Sequence, residues 1–237
     1  MHASRRVVQP ANRGTLAAVL ASLLRIVRED PFATIAFFPS DHDYNDDRKF
    51  MAGVDLAFGS AEINRDSVIL LAVPAKHAEP GYSWIEAEAA PSEASRSGLL
   101  RVKKFWEKPS TEVASQLLER GCVWNTFVMV GSAAAFVNLI RSQAPELFQR
   151  FEALLSVRNA EDEPAVLREV YQDVADADFS RLVLASSSQF IDVLCLGDVG
   201  WTDLGEPARV IDTLSKKGVQ KEWACVWQEQ HASAAAC

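Results

Sequence analysis

A chain of 237 residues with 49% apolar side chains can bury a large core, as one large α/β domain or two small ones. Its formal charge of −8, from 24 Lys and Arg against 32 Asp and Glu, comes without any Lys/Arg-rich run, which argues against a nucleic-acid partner because phosphate backbones need a cationic face. No apolar run approaches the ~20 residues of a membrane span and "MHASRRVVQP" has no apolar signal core, so a cytoplasmic protein with no membrane partner is the expectation.

In chain order, "TLAAVLASLLRIVRE" (15–29) sets Leu16, Val19, Leu20, Leu23, Leu24 and Val27 on one helical face, with "NRGT" as its starting residues. The runs "TIAFF" and "VILLAV" read as strands and "DRKFMAGVDLAFGSAEI" between them as a helix, the alternation of a parallel sheet. There follow "GLLRVKKFWEKP", a helix at "TEVASQLLERG", a strand at "TFVMVG" and a helix at "AAAFVNLIRSQ". Residues 145–178 are helix-rich, with breakers at Asn159 and Pro164. "RLVLASS" reads as a strand, and "QFIDVLCLGDVGWTDLG" as a strand with its following loop. A last helix, "PARVIDTLSKKG", ends at Gly218, and residues 229–237 form a flexible tail. The pattern has no repeats and no dividing linker. Cys122, Cys195, Cys225 and Cys237 form no CxxC pair and no zinc-ligand spacing, which reads as free thiols in a reducing compartment.

Two loops carry the acid. "FFPSDHDYNDD" ends an apolar run in Asp41 and Asp43, and "LCLGDVGWTDLG" ends another in Asp198 and Asp203. Ligands of an open α/β sheet gather beyond the carboxyl ends of strands. Asp41 and Asp43 could equally cap the helix that starts near Asp46. Two carboxylates from distant strand ends that met over one crevice would suit Mg²⁺ bound to a phosphate.

Six segments, "VVQPANRGTLAAVLASLL", "FFPSDHDYNDDRKF", "EPGYSWIE", "VKKFWEKPS", "WNTFVMVG" and "VGWTDLGEP", occur in the order found in sugar-1-phosphate nucleotidyltransferases, and the chain resembles the mannose-1-phosphate guanylyltransferases among them. The resemblance implies a Rossmann-like, mostly parallel sheet flanked by helices. It also implies transfer of a nucleotidyl group from a nucleoside triphosphate, GTP favoured, to a hexose 1-phosphate, mannose 1-phosphate favoured, with release of pyrophosphate. Such a step needs in-line positioning and charge neutralisation more than a protein nucleophile. Carried over residue by residue, Asp41 and Asp203 resemble the Mg²⁺ ligands, and Lys108 a catalytic cation that reaches the sugar phosphate. Gly14 and Thr15 resemble the segment that approaches the nucleobase, where the following helix N-terminus favours anions. Glu79, Ser83, Glu86, Glu107 and Asn125 fall at sugar-binding positions. The plain alternatives make Glu107 and Lys108 a solvated pair, Trp106 and Trp124 core residues, and His42 a loop residue satisfied by a backbone group.

Family members open with a glycine-rich GGxGxRL loop that holds the triphosphate, whereas this sequence begins just before "QPANRGT". The expectation is therefore an N-terminally incomplete domain over residues 1–228, missing a strand from the middle of its sheet, with impaired transfer. Ser83 and Phe127 stand where relatives carry glycine, which points to an altered sugar pocket. The alternative is a non-catalytic paralogue that binds a sugar phosphate or nucleotide sugar. A homo-oligomer is left open.

Overall fold

The computed structural model describes residues 6–88 and 98–232. Its elements are α1 (Gly14–Glu29), β1 (Thr34–Phe37), β2 (His42–Asp43), α2 (Asp47–Ile63), β3 (Val68–Pro74), β4 (Trp84–Ala87), β5 (Leu99–Trp106), α3 (Thr111–Glu119), β6 (Val123–Ser132), α4 (Ala133–Gln143), α5 (Pro145–Phe151), α6 (Glu163–Tyr171), α7 (Phe179–Leu182), β7 (Ile191–Cys195), β8 (Thr202–Asp203), α8 (Pro207–Lys216) and α9 (Glu222–Ala232).

Strand β3 organises the core. Side chains alternate across a strand. Val68, Leu70 and Ala72 accordingly join the cluster that holds Leu16, Leu20, Leu23 and Leu24 of α1 with Phe136, Phe148 and Phe151. Ile69, Leu71 and Val73 join the opposite cluster, with Phe50 and Val54 of α2, Trp84 and Leu117. A strand covered on both faces must read as an unbroken apolar run, which is the pattern of "VILLAV".

The α/β expectation holds, and the sheet is mixed rather than mostly parallel. Its order is β1-β6-β3-β7-β5-β4, with β4 also paired to β6. Strands β3 and β7 are parallel. The other pairings, β1–β6, β3–β6, β4–β5, β4–β6 and β5–β7, are antiparallel. The β1-α2-β3 unit does carry its strands in one direction, but β6 lies between them and opposes both. Among the described residues the order runs from edge strand β1 without an interior gap.

Local structure departs from the sequence reading at three places. "RLVLASS" is not a strand: Asp178 accepts a hydrogen bond from Arg181 N at 2.8 Å and starts the helical turn α7, followed by a 3₁₀ turn at Leu184–Ser186. Asp46, not Asp41 or Asp43, caps α2, accepting from Lys49 N at 2.9 Å. Helix α9 continues to Ala232, so the expected tail begins within a helix, and its last five residues lie outside the described ones.

Candidate functional site

The loops after β1 and β7 fold back as a two-stranded ribbon, β2–β8, in which His42 faces Asp203 and Asp43 faces Thr202. Leu204 N donates to the Asp41 carbonyl at 2.7 Å and locks the register. The ribbon brings the two acidic loops together, and with them Asp41 and Asp203, on the wall of a cavity of about 610 Å³.

Seven of the expected site residues line that cavity: Thr15, Asp41, Ser83, Glu107, Lys108, Asn125 and Asp203. The other three stand apart from it. Gly14 lines a neighbouring recess with Asp176 and Asp178. Glu79 lines a smaller cavity that shares Tyr82 and Trp201 with the large one, and its Oε1 accepts from Gly81 N at 2.9 Å. Glu86 is ion-paired to Lys103 at 2.7 Å and to Arg120 at 3.4 Å, and the Lys103 bond chiefly holds its carboxyl below the usual range. Two cations hold Glu86 at the β4–β5 surface, which accounts for its side chain without a sugar.

On the sugar-facing side expected from the sequence, Ser83 Oγ donates to Glu107 Oε2 at 2.5 Å. Asn125 is 5% exposed; its N–H donates to the Ser83 carbonyl at 2.9 Å, and its Oδ1 accepts from Phe127 N at 3.2 Å. The Asn125 side chain therefore spends its acceptor on the backbone of its own strand. Lys108 is exposed at φ +43°, an unusual backbone conformation for a side-chain-bearing residue. Trp124 is core, as the plain reading has it, in edge contact with Tyr82 and Trp84.

At the ribbon, Trp201 Nε1–H donates to His42 Nδ1 at 3.2 Å. An indole N–H can only donate, so a neutral His42 carries its proton on Nε2, which lies 3.9 Å from Asp41 Oδ1. Burial lowers the His42 pKa below 6.5, against the opposing pull of Asp41 and Asp203. A side chain, not a backbone group, thus satisfies this histidine. Asp203 Oδ1 is engaged by Arg209 Nε at 2.7 Å and by Gly205 N at 3.1 Å, while Asp41 is open to solvent. Among the described residues no group of three or more His, Cys, Asp or Glu side chains could hold a metal. Two carboxylates suffice for Mg²⁺, which keeps several waters and takes further oxygens from bound phosphates, so the donor set fits that ion.

The start of α1 differs from expectation. Segment 176–179 crosses it: Leu16 N donates to the Ala177 carbonyl (3.0 Å), Ala177 N to the Arg13 carbonyl (3.2 Å), and Phe179 N to Thr15 Oγ1 (2.8 Å). A Cβ at Gly14, where φ is +77°, would lie 2.3 Å from the Ala177 carbonyl oxygen, so glycine is required there by the crossing chain. The helix end is already capped by a carbonyl and flanked by the Asp176 and Asp178 carboxylates, which offsets its attraction for an added anion. Sequence reasoning missed Asp178 and Arg209. An Asp before "FSRL" is a helix-start signal that could have found the first; an arginine in the first turn of α8 carries no comparable mark.

The nucleotidyl transferase family model matches residues 3–218. The alginate biosynthesis protein AlgA of Pseudomonas aeruginosa is 23% identical over 89% of this chain and 43% of its own length. A mannose-1-phosphate guanylyltransferase of Sinorhizobium fredii is 28% identical over 96% of this chain and 40% of its own. The chain thus spans about two fifths of the length of these relatives. Among solved structures, one described as a mannose-1-phosphate geranyltransferase from Thermus thermophilus superposes with a TM-score of 0.75 at 23% identity, over 88% of this chain and 57% of the other.

Proposed function

Because the chain belongs to the nucleotidyl transferase family, as a sugar-1-phosphate nucleotidyltransferase, we propose that its large cavity binds a hexose 1-phosphate and a nucleoside triphosphate and joins them with release of pyrophosphate. Mannose 1-phosphate and GTP are the favoured pair, in keeping with the names of similar proteins. The observation that carries the reading is the convergence of seven sequence-expected residues, from six separate segments, on one cavity.

In the transfer, a phosphate oxygen of the sugar phosphate forms a bond to the α-phosphorus while the bond from that phosphorus to the pyrophosphate oxygen breaks. No protein nucleophile takes part, so the side chains act by holding and neutralising. Lys108 supplies a point charge for the sugar phosphate. Glu107, oriented by the Ser83 hydroxyl, and the Asn125 NH₂ take the sugar hydroxyls. Asp41 and Asp203 would hold Mg²⁺, which when bound neutralises the phosphate oxygens. The Asp41 side chain, 57% exposed, needs no rearrangement for this, whereas Asp203 must share or release Arg209.

One observation favours a second reading, sugar-phosphate binding without transfer. Four carboxylates, Asp41, Glu107, Asp178 and Asp203, line the cavity against one cation, Lys108, among the described residues. The test is pyrophosphate release from GTP and mannose 1-phosphate with Mg²⁺, each component omitted in turn. Release that requires all three is the expected result. Binding of mannose 1-phosphate without release would support the second reading, and no binding of either substrate would overturn both.

A further inference from the structure

Phe127 sits at φ +57°, in the left-handed region that an aromatic residue adopts only under constraint. The constraint is a bulge in β6. Leu71 pairs with Val128 and the next residue, Ala72, pairs with Asn125, so Thr126 and Phe127 have no partners on β3. Three hydrogen bonds fix the bulge. Phe127 N donates to Asn125 Oδ1 (3.2 Å), Val128 N donates to Thr126 Oγ1 (3.3 Å), and Thr126 Oγ1 donates to the Leu71 carbonyl (2.7 Å). Thr126 is completely buried, so this support does not depend on solvent. A bulge re-aims a side chain, and here the one re-aimed is a half-buried phenylalanine on the wall of the large cavity, its ring edge-on to Phe179 at 5.9 Å.

We propose that Phe127 is a specificity-determining residue whose ring is the apolar platform for the C–H face of the hexose in a bound hexose 1-phosphate. The inference rests on the sugar-binding reading above. A hexose presents hydroxyls around its edge and C–H groups on its faces, and it is held best where polar groups meet the edge and an aromatic ring meets a face. Ser83, Glu107, Lys108 and Asn125 form the polar group on this cavity. The bond from Phe127 N to Asn125 Oδ1 ties platform and polar edge together, because the same contact that shapes the bulge turns the Asn125 acceptor away from ligand. The strain is explained if the ring is needed. Glycine would take this φ freely but offers nothing to pack against.

The test is calorimetric titration of the 237-residue chain and its Phe127→Tyr, Phe127→Leu and Phe127→Gly variants with mannose 1-phosphate, and separately with inorganic phosphate. The tyrosine variant should stay within about twofold of the parent, while the leucine and glycine variants lose about tenfold for the sugar phosphate, the scale of one aromatic contact. Inorganic phosphate affinity should be unchanged in all of them, which a merely structural role for Phe127 would not give. Unchanged mannose 1-phosphate affinity in the leucine variant overturns this inference alone and leaves the sugar-binding reading standing. Failure of the parent chain to bind mannose 1-phosphate overturns that reading and the inference with it. Should the variants not fold, the parent decides: sugar ring C–H protons should shift upfield in its NMR spectrum on binding, and their failure to shift overturns the platform.

Discussion

Glu107 joins two roles that the sequence could not separate. On its own "FWEKP" reads as one half of a solvated pair, and only the family resemblance makes Glu107 a sugar ligand; what distinguishes the two in the structure is Ser83, 24 residues upstream. The Ser83 hydroxyl donates to Glu107 Oε2 and fixes the carboxylate on the cavity wall, while Oε1 has no protein partner among the described residues. Glu107→Gln keeps an acceptor for Ser83 and removes only the charge. Hexose 1-phosphate binding should therefore weaken on the order of 1.5–3 kcal/mol, the value of a charge-assisted hydrogen bond, as read from a calorimetric dissociation constant. An unchanged constant would return Glu107 to the solvated pair. The place of Asp41 on the cavity was legible because it follows the end of a strand; the place of Glu86 was not, since the Lys103 and Arg120 that pair with it come from other elements.

At the scale of elements, the helix α1 and the strand β3 were legible because burial imposes a pattern on the sequence, and Leu16, Leu20, Leu23, Leu24, Ile69, Leu70 and Leu71 are all fully buried. The turn α7 was not. "RLVLASS" has the apolar content of a strand, but its conformation is decided by Asp178, which caps the turn from just upstream of it, and by Thr15 accepting the Phe179 amide from 164 positions away. The β2–β8 ribbon was hidden for a similar reason, two residues per strand being too few to show alternation. The Thr15 contact can be tested alone. Thr15→Val conserves shape but leaves the Phe179 N–H without its acceptor, a loss on the order of 1–3 kcal/mol for a buried donor. The urea midpoint should fall with an unchanged slope, and Thr15→Ser should restore it. A midpoint equal to that of the parent would show that the crossing of α1 by segment 176–179 is held by its backbone bonds alone.

For the molecule as a whole, the formal charge of −8 is repeated locally in a cavity with four lining carboxylates and one lysine among the described residues. Such a field should repel a triphosphate more strongly than a sugar monophosphate, and the repulsion acts over a distance that salt controls: the screening length falls from about 30 Å at 0.01 M to about 8 Å at 0.15 M ionic strength. A site lined by cations loses anion affinity as salt rises. This one should do the reverse for GTP in the absence of divalent metal, gaining affinity several-fold over that range as the carboxylates are screened. With Mg²⁺ present, attraction through Asp41 and Asp203 replaces repulsion, and added salt should weaken binding in the usual way. Asp203→Asn sharpens the contrast, because removing one of the four charges should improve metal-free GTP binding while it lowers the gain from Mg²⁺. Fluorescence titration at two ionic strengths, with and without Mg²⁺, reads all of these signs. If metal-free affinity fell with salt in the parent chain, the carboxylates lining this cavity would not be the groups that the triphosphate meets.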